Sequence, residues 1–147
     1  MMAHLQETIG ASKKAVVYHM VMASSSTDEK QFMRELLTNN GTKETFHSVT
    51  PKEALKRSVL ANCDRLGVPR VIFLVDEAQM LTKTHYELLR GVLSELTSLG
   101  LAPFAGLFGQ PEIRRVRKQL NDRGDSSLIN RFLGRMYTLR GLRRDEF

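Results

Sequence analysis

The sequence predicts an α/β domain of the doubly wound class, built on a parallel sheet. Apolar strand-like runs alternate with amphipathic helical segments along the 147 residues, without an obvious hairpin between two strands. The central run, Val71–Val75, shows no polar alternation, which is typical of a strand covered by helices on both faces. A hydrophobic content of 41% and a charged fraction of 26% fit one globular domain over residues 1–147.

The first strand and helix are predicted in the amino-terminal third. Ala15–Met22 is β-branched and apolar without helical periodicity, so it predicts a buried strand. Ser26 and Glu29 have the spacing of a capping box and precede an apolar helical stripe that ends before Gly41. The stripe consists of Phe32, Met33, Leu36 and Leu37.

A second helix is predicted to begin after Thr50. Thr50 can cap it, Pro51 fits the first turn because it needs no N–H, and Glu53 can reach back to the cap. An apolar face then runs to Gly67 and consists of Leu55, Val59, Cys63 and Leu66. After it, Arg70 leads into the central strand.

The remaining elements follow the same alternation. In order, they are a helix over Thr84–Leu99, a strand over Leu101–Phe108, a helix opened by Gln110-Pro111-Glu112, a short helix over Ser126–Gly134 and a last strand over Met136–Leu139.

Composition excludes several classes of site and location. Cys63 is the only cysteine, which excludes an intramolecular disulfide and a thiolate metal cluster and predicts a small buried residue on a helix. No apolar run is long enough to span a bilayer, and the amino terminus has no continuous apolar signal core. The sequence therefore predicts a soluble, cytoplasmic protein.

Basic residues are concentrated in the last quarter of the chain. The formal net charge is +6, and Ile113–Arg144 holds ten Arg or Lys residues against only Asp122 and Asp125. Such a cluster can attract the phosphates of nucleic acid or nucleotide, or an acidic face of a neighbouring subunit. A solvated basic helix face is the structural alternative.

The central strand ends in Asp76-Glu77, which is the pattern of a Walker B motif. Ligands of open parallel sheets gather beyond the carboxyl ends of the strands. There, an Asp can hold magnesium and an adjacent Glu can orient or deprotonate the water that attacks a γ-phosphate. The alternative is a strand end whose two carboxylates only cap the next helix.

Three segments carry a resemblance to a known family: VIFLVDEAQML, LAPFAGLFGQPEI and LINRF, which follow one another in this order. This arrangement resembles the AAA+ ATPases of the transposition-protein type, the TniB/TnsC group, and their ExeA-like relatives. The resemblance covers nearly the whole chain and is strongest from Val71 to Phe132. It implies a three-layer P-loop NTPase core with a parallel sheet.

The resemblance also implies roles for individual residues. Asp76 would bind the cofactor through magnesium, Glu77 would be the catalytic base, and Gln110 would be the sensor of the γ-phosphate or the attacking water. Arg131 would be an arginine finger directed at the nucleotide of a neighbouring subunit, since its planar fork can pair with phosphate oxygens. Alternatively, Gln110 is only a helix cap and Arg131 only a surface residue.

The resemblance further implies ATP and Mg²⁺ as cofactors, DNA and a transposase or other transposition proteins as partners, and a homo-oligomer. The leading hypothesis is thus an ATP-binding AAA+ domain of a transposition or DNA-mobilisation ATPase. The alternative is a non-catalytic interaction or DNA-binding module that retains the ATPase scaffold. An unrelated doubly wound hydrolase is disfavoured, because the sequence has no G-x-S-x-G nucleophile elbow.

No phosphate-binding loop of the form G-x-x-x-x-G-K-[ST] occurs in the sequence, and Gly10–Lys14 has the required residue types in the wrong order. By resemblance, Ala15–Met22 takes the place of the second strand, Met1–Ile9 that of the end of the P-loop helix, and Gly141–Phe147 the beginning of a helical lid. We therefore expect an incomplete core in which the first strand and the P-loop are absent. ATP hydrolysis by this chain alone is not expected.

Overall fold

A three-stranded parallel sheet organises the protein. The computed structural model describes residues 14–22, 28–38 and 49–137. The strands are β1 (Val16–Val21), β2 (Arg70–Asp76) and β3 (Ala102–Leu107), in the spatial order β1-β2-β3. The register pairs Tyr18 with Phe73 and Phe73 with Ala105, and both pairings are parallel. The predicted α/β class with a parallel sheet is confirmed.

The helices follow the predicted order closely. Those of the described residues are α1 (Glu29–Thr38), α2 (Pro51–Leu66), α3 (Lys83–Ser98), α4 (Ile113–Asp122) and α5 (Ser126–Leu128). A short 3₁₀ turn (Ala78–Met80) follows β2, and a π-helical turn (Ile129–Leu133) continues from α5. In this part of the chain, every helix is too short or too polar to cross a bilayer.

The start of α2 is only partly as predicted. The Thr50 side chain accepts a hydrogen bond from the Glu53 backbone N–H at 3.3 Å, and Gly67 ends the helix with φ 64°. However, the Glu53 carboxylate does not return to the cap. It pairs instead with Lys56 Nζ at 2.5 Å and Arg57 Nε at 3.5 Å, because these cations lie on the same helix face one turn away.

The cap of α1 is Asp28. Its Oδ1 accepts a hydrogen bond from the Gln31 backbone N–H at 2.8 Å, one residue before the helix begins at Glu29. The predicted cap, Ser26, lies outside the described residues. So do the proposed end of a P-loop helix at Met1–Ile9 and the proposed lid start at Gly141–Phe147.

Two predictions near the end of the described chain need correction. The predicted helix Ser126–Gly134 divides into α5 and the π-helical turn. Leu128 is buried in α5 and Leu133 is buried in the π-helical turn. In the predicted strand Met136–Leu139, Met136 and Tyr137 have no regular structure, and the two following residues lie outside the described part. The apolar pattern was correct, but no described strand pairs with this segment.

The core lies between the sheet and helices α1, α2 and α3. Tyr18, Met20, Phe73 and Val75 project from one sheet face into this core. Tyr18 stacks on Phe73 with ring centroids 5.5 Å apart. Cys63 is free and buried, as predicted, and burial raises the pKa of its thiol. An aliphatic core with few aromatic contacts thus holds the three strands in register.

β1 and β3 are the two outer strands of the sheet within the described residues, since each pairs with β2 alone. Apolar side chains are exposed on the sheet, with Phe104 of β3 62% and Val21 of β1 46% accessible. Among the described residues, β3 therefore has an unpaired outer edge beside exposed apolar surface.

Two buried tyrosines differ in how their hydroxyl groups are satisfied. The Tyr18 hydroxyl lies 2.8 Å from Ser58 Oγ and accepts a hydrogen bond from Asn62 Nδ2 at 3.0 Å. The Tyr86 hydroxyl has no hydrogen-bond partner in the described part of the chain, and burial raises the pKa of its phenol. The first hydroxyl stabilises the fold, whereas the second carries a desolvation cost.

We predict opposite effects when each hydroxyl is removed. Tyr86→Phe is expected to raise the free energy of unfolding by about 1 kcal/mol, and Tyr18→Phe to lower it by about 1 kcal/mol, in urea denaturation at pH 7. Tyr137→Phe is the control, because that side chain is 84% exposed. Equal effects for Tyr18 and Tyr86 would contradict this assignment.

The Tyr86 effect should also depend on pH. Because burial raises the pKa of Tyr86 in the folded state, both states hold a neutral phenol below the ordinary pKa of 10.0, and the unfolded state is favoured by ionisation as pH rises above it. Relative to Tyr86→Phe, the wild-type protein should lose up to ~1.4 kcal/mol of stability per pH unit above that value. A difference that stays constant between pH 7 and pH 11 would contradict the shift.

Candidate functional site

The carboxyl ends of the three strands meet at one edge of the sheet. The Met22 backbone N–H, just after β1, donates to the Asp76 carbonyl at 3.1 Å. On the other side, the Phe108 N–H donates to the Val75 carbonyl at 2.8 Å, and the Ala78 N–H donates to the Phe108 carbonyl at 2.8 Å. The chain segments that follow the strands are therefore bound to each other by backbone hydrogen bonds.

Asp76 and Glu77 lie at the end of the central strand, and both are half-buried. Asp76 Oδ1 accepts a hydrogen bond from the Glu77 backbone N–H at 2.9 Å. Glu77 has φ 55° and ψ 37°, and it is the only non-glycine residue with a positive φ in the described ranges. Such a conformation is uncommon for a side chain of this size and is concentrated at functional sites.

The sequence left open that these two carboxylates only cap the next helix. In the structure they do not cap it. The next long helix, α3, begins six residues later and has its own cap at Thr82, whose backbone N–H donates to His85 Nδ1 at 3.1 Å. His85 is buried and stacks on Phe32. Asp76 and Glu77 are therefore not needed to start α3.

Gln79 connects the ends of β2 and β3. Its Nε2 donates to Glu77 Oε2, and its Oε1 accepts a hydrogen bond from the Gln110 backbone N–H at 3.1 Å. A Cβ atom on Gly109 would lie 2.6 Å from Gln79 Oε1 and 3.2 Å from the Ala78 nitrogen. A side chain larger than glycine here would force the Gln79 amide to shift and would crowd the backbone of the 3₁₀ turn.

Three of the four predicted site residues are brought together at this edge. Asp76 and Glu77 are adjacent, and Gln110 is joined to Glu77 through Gln79. The Gln110 side chain is exposed and makes no hydrogen bond within the described residues, although its carbonyl accepts from the Ile113 N–H at the start of α4.

Arg131 is placed differently. It lies on the π-helical turn with its side chain exposed. Among the residues the structure describes, it has no hydrogen bond or ion pair with the other three predicted site residues. Its predicted role toward a neighbouring subunit stays a prediction.

Asp76 fits a magnesium ion that is also held by a nucleotide. Mg²⁺ sites commonly use one or two carboxylates, with phosphate oxygens and water supplying the other ligands. Asp76 Oδ1 already accepts a backbone hydrogen bond, which orients the carboxyl group at the sheet edge. The described residues contain no group of three or more His, Cys, Asp or Glu that could hold a metal by themselves.

Gln79 is a site residue that sequence reasoning missed, whereas Gly109 was expected at the sheet edge beside Gln110. Gln79 follows a strand end, so the rule that ligands gather at the carboxyl edge could have identified it. The contact between Gln79 and Gly109 spans 30 positions of sequence, however, and only the packed sheet shows that the Gln79 side chain reaches the loop after β3.

Comparison with known families identifies the class of domain to which this chain is similar. A family model described as an AAA domain matches residues 1–116. Comparison with curated protein sequences gave no match. The matched range contains Asp76, Glu77, Gln79 and Gln110 and ends within α4, so Arg131 lies beyond it.

The close approach at Gly109 leads to a stability prediction. Gly109→Ala is expected to destabilise the protein by roughly 1–3 kcal/mol, because the added methyl group would displace Gln79 Oε1 and crowd the backbone of the 3₁₀ turn at 3.2 Å. Gly91→Ala is the matched control: it lies inside α3 with no atom near its Cβ position, and should stabilise by about 0.5–1 kcal/mol. Urea denaturation of both variants measures this, and an unchanged Gly109→Ala midpoint would contradict the close packing.

Proposed function

Because this chain belongs to the AAA domain family, we propose that its acidic strand end forms part of an ATP–Mg²⁺ site of an ATPase that works in transposition or DNA mobilisation. The observation that carries the proposal is the position of Asp76 and Glu77 at the carboxyl end of a central parallel strand, joined through Gln79 to the loop that carries Gln110. The sequence resemblance to transposition-type ATPases supports the pathway.

Each residue has a defined part in this proposal. Asp76 holds Mg²⁺, which neutralises charge on the phosphates when it is bound. Glu77 orients the attacking water or accepts its proton, and Gln110 hydrogen-bonds the γ-phosphate or that water. The exposed side chain of Arg131 is available to a nucleotide on another subunit of a homo-oligomer.

The printed sequence has no G-x-x-x-x-G-K-[ST] loop, so the backbone cradle and lysine that usually hold the phosphates are not among these residues. We therefore expect Mg²⁺-dependent nucleotide binding to be weak and hydrolysis by the chain alone to be undetectable. A transposase or another transposition protein is the proposed partner of the assembled ATPase.

Equilibrium titration with a labelled, non-hydrolysable ATP analogue tests the site. Binding should require Mg²⁺ and should weaken on the order of 10-fold in Asp76→Asn, because a carboxamide is a poor ligand for a hard cation. Asp64→Asn is the control, since Asp64 is an exposed acid on α2. No binding by the wild-type chain, or equal binding by Asp76→Asn, would contradict the proposed site.

A DNA-binding function is favoured by a separate observation: a group of exposed basic residues has no ion-pair partner among the described residues. Seven exposed cations form what we call the basic surface: Arg114, Arg115, Arg117, Lys118, Arg123, Arg131 and Arg135. None of them forms an ion pair with another described residue. By contrast, Lys52, Lys56, Arg57 and Lys83 all pair with carboxylates elsewhere.

Four members of the basic surface are on α4. The buried residues Ile113 and Leu120 face the interior, so the cations project from the opposite side of this helix. Unpaired arginines and lysines along one helix face can neutralise successive phosphates of a nucleic acid backbone. This surface supports DNA contact both for the assembled ATPase and for a non-catalytic DNA-binding module that keeps the scaffold.

The salt dependence of binding to duplex DNA tests the basic surface. If its α4 cations contact phosphates, the double variant Arg114→Ala/Arg115→Ala should reduce the slope of log K against log salt by about 2. Lys56→Ala/Arg57→Ala removes the same charge from a site already paired with Glu53, and it should leave the slope nearly unchanged. Equal slopes for wild type and the α4 variant would contradict this assignment.

A further inference from the structure

We propose that Gln79 is a positioning residue that couples the Glu77 carboxylate to the backbone of the loop between β3 and α4. The inference rests on the proposed function only in that Glu77 is taken as the group that acts on water. The link itself follows from two hydrogen bonds made by opposite ends of one side-chain amide.

The orientation of the Gln79 amide is fixed by its partners. The Gln110 backbone N–H can only donate, so the atom that faces it must be the carbonyl oxygen, Oε1. The amide nitrogen then faces Glu77 Oε2, which as a carboxylate oxygen can only accept. A reversed amide would break both contacts, and therefore the two bonds depend on each other.

The surroundings hold Gln79 in this position. It is half-buried in the 3₁₀ turn after Glu77, and this turn is tied to β3 by the hydrogen bond from the Ala78 N–H to the Phe108 carbonyl. Gly109 lies so close to the amide that a Cβ atom built on it would be only 2.6 Å from Gln79 Oε1. These contacts hold the amide in place while both of its hydrogen bonds are present.

The coupling would control how the Glu77 carboxylate is oriented toward the attacking water. While Gln79 donates to Oε2, the Glu77 carboxylate is held in one orientation and has one fewer lone pair available to a water molecule. A ligand oxygen that takes the Gln110 N–H removes the donor that Gln79 Oε1 requires. The amide can then turn, so that occupancy of the β3–α4 loop changes the orientation of the base.

Glutamine suits this role because it has both a donor and an acceptor. Gln79→Glu would keep the oxygen that accepts from the Gln110 N–H but would place a second carboxylate against Glu77, which is repulsive. Gln79→Ala would remove both bonds. The two variants therefore separate the two ends of the link.

A double-mutant cycle on the ligand-free chain tests the link. The measurement is the hydrogen-exchange rate of the Gln110 backbone amide, obtained by NMR magnetisation transfer from water. Gln79→Ala should speed this exchange ~10-fold through loss of its acceptor, whereas Gln79→Glu should speed it only about 3-fold, because it keeps that acceptor and loses only the bond to Glu77. Gln119→Ala, an exposed glutamine on α4, is the control and should have no effect.

The decisive variant is Glu77→Asn, because Glu77 does not itself touch Gln110. Asn tolerates a positive φ and is too short to keep the contact with Gln79, so it should speed Gln110 exchange about 3-fold. In the Gln79→Ala background the same change should have no further effect. An unchanged rate in Glu77→Asn, or an effect that persists without Gln79, would overturn the coupling.

The outcome is separable from that of the proposed function. The exchange cycle uses no nucleotide, so absence of ATP binding leaves it fully interpretable. Conversely, normal Mg²⁺-dependent binding together with a Gln110 amide that does not respond to Glu77→Asn would overturn the link and retain the nucleotide site.

Discussion

The pairing of β2 on both of its edges is the constraint on which the rest of the structure depends. β1 and β3 lie parallel on either side of it, so the three carboxyl ends reach the same edge of the sheet. Asp76 and Glu77 are fixed there because the strand before them is buried and hydrogen-bonded along both sides. The positive φ of Glu77 turns the chain back toward β3, and this turn brings Gln79 within reach of Gln110.

Much of the fold could be predicted because the apolar pattern of each element agrees with its burial. The helix predicted over Thr84–Leu99 and the observed α3 differ by one residue at each end, since a full apolar stripe and a glycine define it. The hydrogen-bond and ion-pair partners of individual polar side chains were harder to predict from the sequence. Glu53 had two cations within one helical turn as competitors for its carboxylate, and only the structure shows that they win over the cap.

The candidate site likewise has some features that the sequence could predict and others that it could not. The position of Asp76, Glu77 and Gln110 at the sheet edge could be predicted from topology, because they lie at or shortly after the carboxyl ends of parallel strands. Their roles rest on the family resemblance and stay predictions. The Gln79 link could not be predicted, since it depends on a close approach between two loops that are about 30 residues apart in the sequence. The role of Arg131 remains a prediction for another reason: a group directed at a neighbouring subunit is not defined by contacts within one chain.

The outer edge of β3 carries backbone N–H and C=O groups that no other described strand pairs. Backbone groups on that edge, beside an exposed Phe104, can pair with the same edge of a second molecule without any change in either sheet. Pro103 removes one donor from the strand, which limits but does not abolish such pairing. Any strand that covers this edge, from elsewhere in the chain or from another molecule, would satisfy the same backbone groups.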